Sequence, residues 1–120
     1  MPDTIASEKT ALETFMERIR ARHPGEEEYH QTVKEVMADI LSFIEENEVY
    51  QGYALPERLT EPDRCLSFRV TWTDDQGKVQ VNRGYRVQFS DALGPYKGGL
   101  RFHPTVNRSV LKSLAFEQVF

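Results

Sequence analysis

The chain has one cysteine, Cys65, and only three histidines among its 120 residues. A lone thiol cannot form an internal disulfide and leaves no Cys/His set with metal-ligand spacing. No apolar run approaches the ~20 residues that a membrane-spanning helix needs. The start, Met1-Pro2-Asp3-Thr4, lacks the basic-then-apolar order of a secretion signal. No strand–Gly-x-Gly-x-x-Gly–helix unit is present, so nothing in the chain reads as a dinucleotide-binding turn. Internal repeats and low-complexity stretches are also missing. These absences exclude a disulfide scaffold, a metal centre and a membrane span, and they predict a cytoplasmic location.

What is present is ordinary in bulk, with 39% hydrophobic and 28% charged residues. That mixture suits a soluble globular fold, and the length allows one domain at most. The net charge of −4 conceals an asymmetry. Residues 1–63 carry 15 acids and 6 bases, net −9, whereas residues 64–120 carry 4 acids and 9 bases, net +5. Anionic ligands therefore suit the second half. Its bases are spread along strands and loops, and the chain as a whole is acidic, so a nucleic-acid partner is not expected.

Periodicity predicts an α+β architecture. Leu12, Phe15, Met16 and Ile19 follow helical spacing, with Ser7 or Thr10 as N-cap and His23-Pro24-Gly25 as the stop. Glu26, Glu27 and Glu28 then supply the negative charge a helix start favours. Tyr29, Val33, Val36, Met37, Ile40, Leu41 and Ile44 line one face of a second helix reaching about Asn47. A connector over residues 52–62 contains one short turn, Pro56-Glu57-Arg58-Leu59. From Leu66 the period becomes two. Leu66, Phe68, Val70 and Trp72 alternate with polar neighbours, Asp74-Asp75-Gln76-Gly77 supplies a turn, and Val79, Val81, Tyr85, Val87 and Phe89 resume the pattern. The expectation is a β-hairpin with one buried face. Arg83 interrupts the apolar face of the second strand, so a partner or a carboxylate is expected there. Residues 100–103 read as a short strand. Asn107 caps a last helix whose apolar seam is Val110, Leu111, Leu114 and Ala115, with Phe116 and Phe120 on nearly the opposite side. The chain stops inside that helix without a glycine, a basic last turn or a polar tail, which predicts a fragment of a longer protein.

The chemistry concentrates in Gly94-Pro95-Tyr96-Lys97-Gly98-Gly99-Leu100-Arg101-Phe102-His103-Pro104. Pro95 presets part of the loop, and Gly98 and Gly99 lack the Cβ that would keep a ligand away from backbone N–H groups. A flexible, hydrated ammonium beside bare backbone donors makes a grip for a carboxylate or phosphate. Gln118 falls at helical spacing within the last apolar seam, where a polar amide must find partners. Arg83, Arg86 and Arg101 read as salt-bridging or solvated strand and loop arginines. His103, between Phe102 and Pro104, reads as packed or hydrogen-bonded, and Trp72 and Tyr85 as core or subunit-contact aromatics.

This loop, with Val106-Asn107 and Phe116-Glu117-Gln118 after it, resembles the N-terminal domain of the glutamate dehydrogenases. The likeness extends to Glu61-Pro62-Asp63-Arg64, to Val70-Thr71-Trp72 with Asp74-Asp75-Gln76-Gly77, and to residues 81–89, Val-Asn-Arg-Gly-Tyr-Arg-Val-Gln-Phe. It covers most of the chain from about Tyr29 and is nearest to the bacterial hexameric, NADP-linked type. Arg108, Ser113 and Ala115 depart from the usual Leu, Phe and Gly.

The resemblance implies an incomplete substrate and assembly domain over 1–120, helical over 1–50, with strands and substrate loop over 64–104 and a truncated helix over 107–120. It implies nitrogen assimilation by reversible oxidative deamination of L-glutamate to 2-oxoglutarate and ammonia with NADP, in a homo-oligomer, hexameric in the family. Lys97 would hold a substrate carboxylate, Gly98 and Gly99 would add donors or clearance, and Gln118 would contact the α-carboxylate region. Catalytic, cofactor-binding and metal residues are expected nowhere in this chain, since the family's nucleotide-binding domain lies beyond it. The 120 residues alone are expected to be inactive. Two other readings share the pattern: a leucine- or phenylalanine-type amino-acid dehydrogenase segment, and a non-catalytic association module.

Overall fold

A computed structural model describes residues 10–96 and 98–119 of the chain. They fall into two compact units that divide between Glu61 and Pro62.

The first unit is helical. Helix α1 (Ala11–Arg22) starts where Thr10 Oγ1 accepts the Glu13 N–H at 3.1 Å, which satisfies one of the orphan donors of a helix start. Ser7, the other cap candidate, lies outside the described residues. Phe15, Met16 and Ile19 are buried. The stop falls at the anticipated break: the His23 N–H reaches Ile19 O at 2.9 Å, and Gly25 takes φ +75°. Helix α2 (Glu27–Glu46) follows. Tyr29, Val33 and Met37, at i, i+4 and i+8, form its fully buried stripe, and Val36, Ile40, Leu41 and Ile44 flank it half-buried. Its end is held by Asn47, whose side-chain amide donates to Phe43 O at 2.7 Å.

A 3₁₀ turn (Glu48–Tyr50) leads to α3 (Leu55–Thr60), which has Pro56 in its first turn. Thr60 is buried; its hydroxyl donates to Pro56 O at 2.8 Å, and its carbonyl accepts the Tyr29 hydroxyl. This bond ties α3 onto α2. His23, also buried, places Nε2 3.2 Å from the Glu61 carboxylate and Nδ1 3.7 Å from Glu26.

The second unit begins with the hairpin, β1 (Arg64–Thr73) paired antiparallel with β2 (Val79–Gln88). Asp74 builds its turn. One carboxylate oxygen accepts the Gln76 and Lys78 N–H groups at 3.0 and 2.8 Å, and the other accepts the Gln80 amide at 3.0 Å. The Gln80 bond, followed by that from Lys78, holds the Asp74 carboxyl below its ordinary range.

The expected single buried face is not what forms. Thr73 pairs with Val79 across the turn, so Leu66, Phe68, Val70 and Trp72 face the same side as Arg86, Gly84, Asn82 and Gln80. Val81, Arg83 and Tyr85 share the other side with Thr71, Arg69 and Ser67. Alternation within each strand was legible, but the parity between strands depends on turn length, which shifts a whole strand to the opposite face. Each face thus combines one mainly apolar and one mainly polar strand. Leu66, Phe68, Val70, Trp72, Val79 and Val81 all stay exposed.

Residues 100–103 form no strand, contrary to the sequence reading; Leu100 and Phe102 are more than four-fifths exposed. A strand needs a neighbouring edge to bond, and the sheet among the described residues has two strands only. Helix α4 (Arg108–Val119) begins at Asn107 as anticipated, with Oδ1 accepting the Val110 N–H at 2.9 Å. Its buried stripe is Ser109, Lys112, Ser113 and Phe116, whereas Val110, Leu111, Leu114 and Ala115 are half-buried. The sequence seam was therefore displaced round the helix.

Candidate functional site

The glycine-rich loop leaves the hairpin at Phe89, a buried residue just beyond the last position of β2. Its carbonyl accepts the Asp63 N–H at 3.2 Å. Phe89 packs on Phe116 with centroids 5.6 Å apart and planes at 57°, which seats α4 against the point where the loop departs. Within the loop the Gly94 N–H reaches Asp91 O at 3.2 Å. Gly94 has φ +155°, a conformation an L side chain rarely adopts, just before Pro95.

Tyr96 gives the loop a second fastening. Its hydroxyl donates to the Asp63 carboxylate, just ahead of β1. That bond, helped by partial burial and by the charges of Asp63 and Asp91, pushes the Tyr96 hydroxyl up to about 12. Sequence reasoning did not find this pair. The one available signal was that both residues belong to stretches singled out for the same resemblance.

Lys97 itself lies outside the described residues. Gly98 is described, and it lies against the side chain of Gln118 near the end of α4. A Cβ built on Gly98 would stand 2.5 Å from Oε1 and 3.4 Å from Nε2 of that amide. The two positions, twenty residues apart, are thus in contact, and a side chain at the first would have to displace the end of the Gln118 side chain. Gln118 is exposed rather than set in an apolar seam, so its amide is open to a ligand as both donor and acceptor. Gly99 is exposed with open space around it.

Arg83, Arg86 and Arg101 are exposed. His103 is exposed and hydrogen-bonded locally, Nδ1 lying 2.7 Å from Thr105 Oγ1. Trp72 is about half exposed, with its indole N–H donated to Asn82 across the hairpin. Among the described residues no group of His, Cys, Asp or Glu is arranged to hold a metal ion. No helix among the described residues is long and apolar enough to cross a membrane.

A dinucleotide does not fit what is here. The sheet is a two-stranded antiparallel ribbon, and the glycine-rich loop runs on without opening a helix at Gly99. What the loop and α4 do offer is a glycine backbone at Gly98, clearance at Gly99 and an exposed amide at Gln118. These suit a small carboxylate-bearing ligand.

Comparison with known proteins bears on the same region. Residues 62–120 match the family model described as Glu/Leu/Phe/Val dehydrogenase, dimerisation domain. The chain is 53% identical over 110 residues to the NADP-specific glutamate dehydrogenase of Escherichia coli, covering 92% of the chain and 25% of that protein. It is 55% identical over 106 residues to the NAD-specific glutamate dehydrogenase of Porphyromonas gingivalis, covering 88% and 24%. Among solved structures, Plasmodium falciparum glutamate dehydrogenase 2 superposes with a TM-score of 0.81 at 44% identity, over 90% of the chain and 23% of that structure. The chain therefore spans about a quarter of the length of these relatives.

Proposed function

We propose that the chain, whose residues 62–120 match the Glu/Leu/Phe/Val dehydrogenase dimerisation-domain model, belongs to that family and supplies the dicarboxylate grip of a glutamate dehydrogenase. The reaction it serves is L-glutamate, NADP and water going to 2-oxoglutarate, ammonia and NADPH. The observation that carries this reading is the contact between Gly98 and the Gln118 amide, directly after the position of Lys97.

In this reading the Lys97 ammonium pairs with one substrate carboxylate. Gly98 and Gly99 let the substrate reach the backbone, and Gln118 donates to the α-carboxylate region. The grip fixes the orientation in which hydride leaves the substrate, so its contribution is positional. Tyr96 and Asp63 hold the loop that presents these groups. NADP binds outside this chain. Relatives named NADP-specific and NAD-specific share the segment about equally, which supports a nucleotide choice made by residues beyond it. The exposed hairpin serves homo-oligomer assembly, up to a hexamer, in the cytoplasm, and nitrogen assimilation is the physiological setting.

A leucine- or phenylalanine-type enzyme would share the loop but leave Lys97 without a distal carboxylate to pair. Substrate preference separates the two. The full-length protein that carries this chain is expected to reduce NADP with L-glutamate and to leave L-leucine almost untouched. Equal or better turnover of leucine would overturn the proposal.

A further inference from the structure

The hairpin register sets Arg69 directly opposite Arg83, on one face of the ribbon. Like charges at directly opposed positions disfavour strand pairing. Neither guanidinium has an ion-pair partner among the described residues, and both are exposed. They border an open concavity of about 500 Å³ completed by Ser67, Phe68, Val81 and Asn82. The hairpin's own acids do not serve them. Asp74 is engaged by Gln76, Lys78 and Gln80 at the turn. It also stands five residues along the strand from Arg69, roughly 16 Å away at ~3.3 Å per residue.

We propose that the Arg69–Arg83 pair is a carboxylate clamp for a second copy of this chain, a glutamate of the copy's acidic helical region seating between the two guanidinium forks. This rests on the assembly role assigned above and names the chemistry of one contact within it. A carboxylate offers two oxygens and about four lone-pair sites, enough to accept from both arginines at once. It would also convert the like-charge pair into a neutralised triad.

Charge decides which surface of the copy is received. A symmetric hairpin-on-hairpin contact through this face would set arginine pair against arginine pair. The acids lie in residues 1–63, net −9, and the arginines in residues 64–120, net +5. Exposed glutamates stand at both ends of α2, at Glu27 and Glu28 and at Glu45, Glu46 and Glu48. A head-to-tail contact of hairpin with helix end is therefore the complementary one.

Sedimentation equilibrium of the 120-residue chain at low and high salt tests this, comparing wild type with the double variant R69Q/R83Q. Wild type is expected to self-associate more weakly as salt rises. The double variant should associate at least roughly tenfold more weakly at low salt and lose most of that salt dependence. At concentrations where both proteins are monomeric, its thermal midpoint should equal or exceed that of wild type, because a like-charge pair has been removed. A second variant, E45Q/E46Q/E48Q combined with E27Q/E28Q, should weaken association to a similar degree. Unchanged association in R69Q/R83Q, or a monomeric wild type at every concentration, would overturn the clamp. Neither result touches glutamate turnover by the full-length protein, so a failure here is distinct from a failure of the functional reading.

Discussion

A methyl group at position 98 would press on the Gln118 amide oxygen from 2.5 Å, inside any real carbon–oxygen contact. Gly98→Ala must therefore push Gln118 aside or move the loop. In the full-length protein it should raise the KM for glutamate roughly tenfold or more while leaving that for NADP nearly unchanged. Steady-state kinetics with each substrate varied in turn checks this, and an unaltered glutamate KM would mean that the contact plays no part in binding.

Tyr96 makes a pH-dependent prediction. Its hydroxyl is raised from 10.0 to about 12 by donating to Asp63, so the folded loop favours the protonated form. The stabilisation is complete below pH 10, fades between 10 and about 12, and is gone above that. Hydrogen exchange across residues 90–96 should accelerate over that interval in wild type and be fast throughout in Tyr96→Phe. Identical exchange in the two proteins would show that the bond does not hold the loop. At this scale Lys97, Gly98, Gly99 and Gln118 were named from sequence, but the Gly98–Gln118 contact and the Tyr96–Asp63 bond were not. Both link residues twenty or more positions apart, and local pattern carries no signal for such pairs.

At the level of elements, caps and stops were the most legible features. Thr10, His23, Asn47 and Asn107 all act at their anticipated places, because each works through backbone groups three or four residues away. Thr10→Ala should cost about 1 kcal/mol, read as a lowered denaturant midpoint with unchanged slope. What failed was anything that depended on a partner element. The buried stripe of α4 runs through Ser109, Lys112 and Ser113, since packing on Phe89 through Phe116, and not local hydrophobicity, turns the helix.

The hairpin went wrong by parity, with turn length alone placing Val81 opposite Thr71 rather than beside Val70. Gly84 explains one detail of that ribbon: a Cβ there would land on the Phe68 ring, which lies across it from the opposite strand. Gly84→Val should displace Phe68 and shift its ring resonances. An undisturbed ring spectrum would contradict the placement.

Taken whole, the molecule is a helical unit rich in acids and a hairpin-loop-helix unit rich in bases. The second coincides with the region matched by the dehydrogenase family model, from residue 62 onward. It leaves a large exposed apolar surface on the hairpin, with Phe68 and Trp72 each about half exposed. Such surface on a small chain favours association, and the family model's description as a dimerisation domain agrees with that. On the proposed reading the 120 residues contribute a substrate grip while NADP is held elsewhere, so by themselves they should show no NADPH oxidation with 2-oxoglutarate and ammonia. Any such turnover by the purified chain would refute this division of labour.

The central claim is that Lys97 and its neighbours grip a dicarboxylate, and Lys97→Ala in the full-length protein tests it most directly. Removing one partner of a charge pair costs a few kcal/mol, so the KM for 2-oxoglutarate and for glutamate should rise by roughly thirtyfold or more, with the KM for NADPH little changed. An unchanged dicarboxylate KM would contradict the account.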